Sequence, residues 1–223
     1  MFKKVLIAED FDSINLAVMQ VLSELGVTEI HHAKYCDDAQ LKIKKALLDN
    51  DPFELLISDL SFNADYRAVE LTSEDELIQW VRAAQPGLKI IVHSVEDKKF
   101  HINSLFENFN IDGFVQKGRS SIKQLKTAII NLYQDNDAMY ISPELQHVLQ
   151  DKTIKEIDDY DIQIIKYLAI GVPQEKMDLK FKELGITPNS KSTIEKRVSK
   201  LKDYFKASNT VHLIAIAKDL GIA

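Results

Sequence analysis

Residues 53–62 read FELLISDLSF. Apolar side chains at Phe53, Leu55, Leu56 and Ile57 run into Asp59, after which the chain turns polar. A short, continuous apolar run of this kind fits a strand buried on both faces, as in a parallel sheet. A carboxylate at the end of a buried strand is costly unless something pairs with it. Asp59 therefore either caps a turn or stands where strand tips carry chemistry.

The surroundings of this run place it. KKVLIA (3–8), TEIHHA (28–33), LKIIVHS (88–94) and DGFVQK (112–117) read as further short strands. Amphipathic stretches at 13–25, 37–48, 74–84, 98–108 and 120–133 separate them. Strands alternating with helix-length segments imply βαβ units, hence an α/β domain with a doubly wound, five-stranded parallel sheet over residues 1–133. In such sheets ligands bind beyond the carboxyl ends of the strands, and Asp59 stands at the carboxyl end of the third. From residue 134 the pattern changes. YQDNDAMYISPEL is polar and carries a proline, which marks 134–154 as a linker. Residues 155–223 show only helical periodicity, at 158–170, 173–184, 190–205 and 209–221, after a short helical stretch at 142–150. They form a small all-α domain.

Charge supports two modules. The chain carries a net charge of −6, yet residues 151–223 hold 13 Lys and Arg against 11 Asp and Glu. Between Lys176 and Lys206 nine basic residues face four acidic ones. An acidic front and a locally basic back point to different partners. No apolar run approaches the roughly 20 residues of a membrane span. The run Val5–Ala8 is too short for a signal peptide and ends in two acids, and one cysteine, Cys36, excludes an internal disulfide framework. These features predict a cytoplasmic protein without membrane attachment. The pair His31-His32 lies in a strand, where neighbouring side chains point to opposite faces; a metal shared between them is not expected.

Four strand ends carry reactive groups: Glu9-Asp10, Asp59, Ser94 and Lys117. A doubly wound sheet brings them to one edge. Three carboxylates together repel, and a divalent cation resolves this. Mg²⁺ suits a site of one or two carboxylates plus phosphate oxygens. Lys117 can pair with a phosphoryl oxygen as a point charge, and Ser94 can donate to another. A carboxylate beside the cation can itself attack phosphorus, giving an aspartyl phosphate. Singly, an acid after a strand is an ordinary cap and a lysine an ordinary surface residue. The information lies in their order and common placement.

With these motifs, residues 1–133 resemble the receiver domain of bacterial two-component response regulators, a flavodoxin-like fold. The resemblance implies that Asp59 is the phosphoacceptor, that a histidine kinase supplies the phosphoryl group, and that Glu9, Asp10, Asp59 and the backbone carbonyl of Ser61 hold Mg²⁺. It gives Ser94 the role of the hydroxyl residue, Lys117 that of the family's lysine and Phe114 that of an aromatic switch turning inward on phosphorylation. No enzymatic activity beyond autophosphatase action is implied. The segment after Asp59, LSFNADYRAVELTSED, departs from the family's short Met-Pro loop: it is longer and has no proline. Val95 and Gly118 stand where a small residue and a proline are usual.

In the tail, STIEKRVSKLKDYF places Ile194, Val198, Leu201 and Phe205 on one helical face, opposite Lys191, Ser192, Thr193, Glu195, Lys196, Arg197, Lys200 and Lys202. Residues 155–221 resemble the LuxR-type helix-turn-helix domain, with a longer turn than usual before the recognition helix. That resemblance implies a promoter DNA partner. Ser192, Glu195, Lys196 and Lys200 are candidates for groove contacts, and Lys191, Arg197 and Lys202 for phosphates. It also implies a homodimer when phosphorylated, with Asn209–Leu220 as a dimer face. Two other readings stay open: a module whose output is protein contact, and a receiver regulated without phosphorylation. A phosphatase of the haloacid-dehalogenase type needs a second acid two residues after the nucleophile, where this chain has Ser61.

Overall fold

The computed structural model describes residues 1–60, 74–150 and 157–223. In chain order, β1 (Lys4–Ala8), α1 (Asp12–Glu24), β2 (Glu29–Ala33), α2 (Cys36–Leu48), β3 (Leu55–Ser58), α3 (Glu74–Ala84), β4 (Lys89–Ser94), α4 (Lys99–Glu107), β5 (Gly113–Gln116) and α5 (Ser121–Gln134) alternate. A short strand β6 (Tyr140–Ile141) and helices α6 (Gln146–Gln150), α7 (Asp159–Ala169), α8 (Met177–Glu183), α9 (Lys191–Tyr204) and α10 (Thr210–Leu220) follow. The chain divides into two compact units: Met1–Asp97 with Ser104–His147, and Lys98–Asn103 with Val148–Ala223.

The sheet of the first unit is wholly parallel, in the order β2-β1-β3-β4-β5-β6. Its first five strands follow the doubly wound order in which a topological switch lies between β1 and β3. The period of two along each strand sorts the core. Val5, Ile7, Leu55, Ile57, Ile91 and Val115 pack with Val18 and Leu22 of α1 and with Leu125, Ala128, Ile129 and Leu132 of α5. All four residues of β3 are buried, and each large apolar side chain buried this way stabilises the fold by about 1.5–3 kcal/mol. That is what holds the strand carrying Asp59 in register.

Five strands are expected from the sequence; the described residues form a sheet of six. Tyr140 and Ile141 pair with Gly113 and Phe114, inside the stretch read as linker. A two-residue strand leaves no periodicity to detect. Its register is fixed by polar contacts: Ser142 is fully buried, its hydroxyl donating to Gln124 Oε1 at 2.6 Å and accepting from the Gln116 amide at 2.9 Å. The short strand covers the edge that β5 would otherwise expose.

In the second unit Ile164, Ile165 and Leu168 of α7, Met177 and Phe181 of α8, Ile194, Val198 and Leu201 of α9, and Leu213 and Ala217 of α10 form one core. Each long helix begins on a side-chain cap. Asp158 accepts from the Asp161 amide, Ser190 from the Thr193 amide and Asn209 from the His212 amide; these residue types satisfy otherwise unpaired amides of the first turn. The long turn predicted before α9 does not lengthen either helix. Gly185, at φ 69°, ends α8, and Asn189 Nδ2 donates to the Ile186 carbonyl at 3.2 Å. Among the described residues no helix is long and apolar enough to cross a membrane.

Candidate functional site

The sheet ladder itself places the strand-tip residues. Beyond β1 the Glu9 amide still donates to the Ala33 carbonyl at 3.0 Å. The Asp59 amide donates to Ala8 at 2.9 Å and the Lys117 amide to Ser94 at 2.7 Å. Glu9, Asp59 and Lys117 are thus the first residues past their strands, held by the same hydrogen bonds that hold the sheet. Their side chains meet. Lys117 Nζ lies 2.7 Å from Asp59 Oδ2 and 2.9 Å from Glu9 Oε2. Glu9 and Asp59 are each only 2% exposed.

The remaining oxygens of these acids are also engaged. Asp59 Oδ1 accepts from the Leu60 amide at 2.7 Å, and Glu9 Oε1 accepts from the Phe11 amide at 3.1 Å. Burial holds the Glu9 carboxyl above its ordinary range; Lys117 pulls the other way and the charge on Asp59 adds to the rise. Glu9, Asp10 and Asp59 each offer a carboxylate oxygen within 4.8 Å of the others. An all-oxygen set of this charge fits a hard divalent cation such as Mg²⁺ and not a soft one. Ser61, named from the sequence as a fourth ligand, lies outside the described residues, as does most of the long segment after Asp59.

Ser94 is fully buried at the end of β4, where its hydroxyl accepts from the Glu96 amide at 3.3 Å. Val95 beside it is 64% exposed, so its side chain does not fill the site. Phe114, read from the sequence as an aromatic switch, lies fully buried in β5 opposite Val92.

Two residues near the site were not given a role from the sequence. His32 Nε2 lies 2.7 Å from the Glu9 carbonyl, so β2 supports the turn that carries Glu9 and Asp10. His31 instead packs edge-on against Phe53, as strand alternation requires. His93 is 2% exposed and neither ring nitrogen has a hydrogen-bond partner among the described residues. The signal for it was visible as a lone histidine within the apolar run KIIVHS.

No protein-family model matches the chain, and no curated protein matches it. Solved structures do. A Salmonella typhimurium RcsB response regulator, described for its conformational dynamism in DNA interaction, aligns over 97% of this chain and 99% of its own, with a TM-score of 0.66 and 19% identity. RcsB from Salmonella enterica serovar Typhimurium, bound to promoter rprA in the presence of phosphomimetic BeF3-, aligns over 98% and 99%, with a TM-score of 0.61 and 18% identity. The isolated REC domain of that protein covers 66% of this chain and 98% of its own, with a TM-score of 0.52 and 21% identity. The chain has the fold of the RcsB response regulators.

Within that fold α9 corresponds to the helix read above as the recognition helix. Ser192, Glu195, Lys196, Ser199, Lys200 and Asp203 are exposed on it at helical spacing; Lys191 is exposed at its first turn. Thr193 Oγ1 is 2.7 Å from Ser190 Oγ, which ties that hydroxyl to the cap. Lys202 is half-buried. Arg197, named from the sequence for phosphate contact, is partly exposed and engaged within the unit. Its guanidinium reaches Asp161 at 3.1 Å and Asp158 at 2.8 Å and lies over the Tyr160 ring. Asp161 is 1% exposed, so burial raises its carboxyl, with the charge on Asp158 adding and Arg197 opposing. Arg197 neutralises a buried acid, which the spacing along α9 does not reveal.

Proposed function

We propose that the protein is a phosphorylation-switched DNA-binding regulator of the response-regulator type. The buried Asp59–Lys117–Glu9 cluster at the carboxyl edge of the sheet is the observation that carries this reading. The all-α unit with a solvent-facing basic helix supplies its output, and the RcsB neighbours support the combination.

A histidine kinase is the expected donor. An oxygen of the Asp59 carboxylate attacks the phosphorus of the donor phosphohistidine. The P–O bond forms as the P–N bond breaks, and the imidazole leaves. Lys117 already points its ammonium at Asp59 and can follow the charge onto a phosphoryl oxygen. Ser94 supplies a hydroxyl whose O–H can donate to another while its oxygen accepts from the Glu96 amide. Glu9, Asp10 and Asp59 would hold Mg²⁺, which neutralises charge on the phosphoryl oxygens. Phosphorylation leaves about −1.5 to −2 charges and three acceptor oxygens where one carboxylate stood. Lys117 must then loosen its grip on Glu9, and this change in a bistable element is what the switch exploits. Beyond turning over its own phosphoryl group the protein performs no catalysis in this reading. The phosphorylated form pairs into a homodimer through Asn209–Leu220.

The DNA output is tested with a random-sequence duplex, titrated over a range of salt. Lys191→Ala with Lys202→Ala is expected to reduce the slope of log K against log salt by about 2, close to one unit per lost phosphate contact. Lys196→Ala with Lys200→Ala is expected to flatten any preference among sequences. Binding with no salt dependence in the wild type would leave protein contact as the output.

A further inference from the structure

His93 is a buried polar side chain that the site as described does not use. The register Ser58↔Val92, carried one residue on, sets His93 level with Asp59 on the neighbouring strand. Two residues before it, Ile91 packs in the core with α1 and α5; strand alternation puts His93 on that same face, as it does Asp59 after Ile57. On the other side His93 pairs in register with Val115, two residues before Lys117. The sheet order is β3-β4-β5. Lys117 leaves β5 and ends 2.7 Å from Asp59 beyond β3, so its side chain crosses β4, on the His93 face.

An apolar residue would support that crossing equally well. A histidine adds a ring nitrogen lone pair, in a place where neither nitrogen finds a partner among the described residues. Buried polar groups are almost always paired, and an unpaired one in a native fold asks for a reason. The ring stays neutral, its pKa lowered to about 4 by burial and then by the Lys117 ammonium, so the lone pair is available. An ammonium has three N–H donors; Glu9 and Asp59 take two.

We propose that His93 is a positioning residue for Lys117: during phosphoryl transfer its free ring nitrogen accepts the third N–H of the ammonium and aims the amine at the phosphoryl oxygens. This rests on Asp59 being the phosphoacceptor. Transfer from the donor to Asp59 and hydrolysis of the aspartyl phosphate each pass through a phosphoryl-transfer transition state at the same carboxylate, so a group that steadies Lys117 in both speeds gain and loss together. Its unpaired state costs stability at rest, as functional sites often do.

The test compares wild type, His93→Leu and His93→Gln in the full chain, with acetyl phosphate and Mg²⁺. Rates of phosphoryl gain and loss are followed by mass, and heat stability is measured on the same samples. His93→Leu is expected to slow both rates about tenfold, the worth of one hydrogen bond to a charged donor, while raising Tm. His93→Gln, which restores an acceptor, is expected to recover much of the rate. Unchanged rates in His93→Leu overturn the proposal. So does a joint fall of rate and Tm that His93→Gln does not relieve, because that marks a packing role. A wild type that takes no phosphoryl group, with both variants equally inert, instead removes the acceptor reading and this inference with it.

Discussion

Lys117→Ala is expected to lose about 3–5 kcal/mol of folding stability at neutral pH, the cost of leaving buried charge uncompensated. Glu9 and Asp59 are both 2% exposed and share that one ammonium. The loss should depend on pH, with a sign fixed by Glu9. Burial already holds the Glu9 carboxyl above the ordinary value of 4.5, and Lys117 is the group that opposes the rise. Without Lys117 the folded-state value climbs further. Above the unfolded value the native state then holds a proton that the unfolded chain has released, so stability falls as pH rises through the folded value. The defect is therefore smallest on the acid side of 4.5 and grows toward neutrality. Urea unfolding at a series of pH values reads this directly. Adding Glu9→Gln to Lys117→Ala should remove most of the pH dependence. A defect of equal size at every pH would show that Lys117 stabilises the fold by packing and not by charge.

Arg197→Ala is expected to destabilise the all-α unit by about 2 kcal/mol. Removing one partner of a fully buried ion pair costs more; Arg197 is itself 30% exposed, and solvent screens part of the interaction. The remaining cost comes from Asp161, left 1% exposed without its cation. Asp161→Asn in the same chain should restore part of the loss, and denaturant unfolding of the single and double variants measures it. The same arrangement predicts that Arg197→Ala, at a temperature where it is folded, leaves the salt slope of DNA binding unchanged. A slope that drops by about 1 would return Arg197 to the phosphate contacts.

These two side chains also mark where sequence reading succeeds and stops. Lys117 was legible because a parallel sheet forces strand ends together, so order along the chain becomes proximity in space. Helix and strand positions were legible for the same reason: β3 reads as buried on both faces and α9 carries its apolar stripe at Ile194, Val198 and Leu201. The ion pair of Arg197 was not legible, because its spacing fits an exposed face and only the fold brings Asp158 and Asp161 to it. β6 was missed because two residues carry no period, and its hold comes from the adjacent Ser142 bonded to Gln124 of α5. His93 is not marked out by the sequence, where it is a lone histidine in an apolar run, and whether its ring is paired is a property of the fold.

The most direct measurement is the intact mass of the full chain after incubation with acetyl phosphate and Mg²⁺, beside an Asp59→Ala control. A gain of a single phosphoryl group is expected in the wild type and none in the variant. Equal gain in both would place the phosphoryl group elsewhere, and no gain in the wild type, from acetyl phosphate or from a phosphorylated histidine kinase, would contradict the claim that Asp59 is the switch.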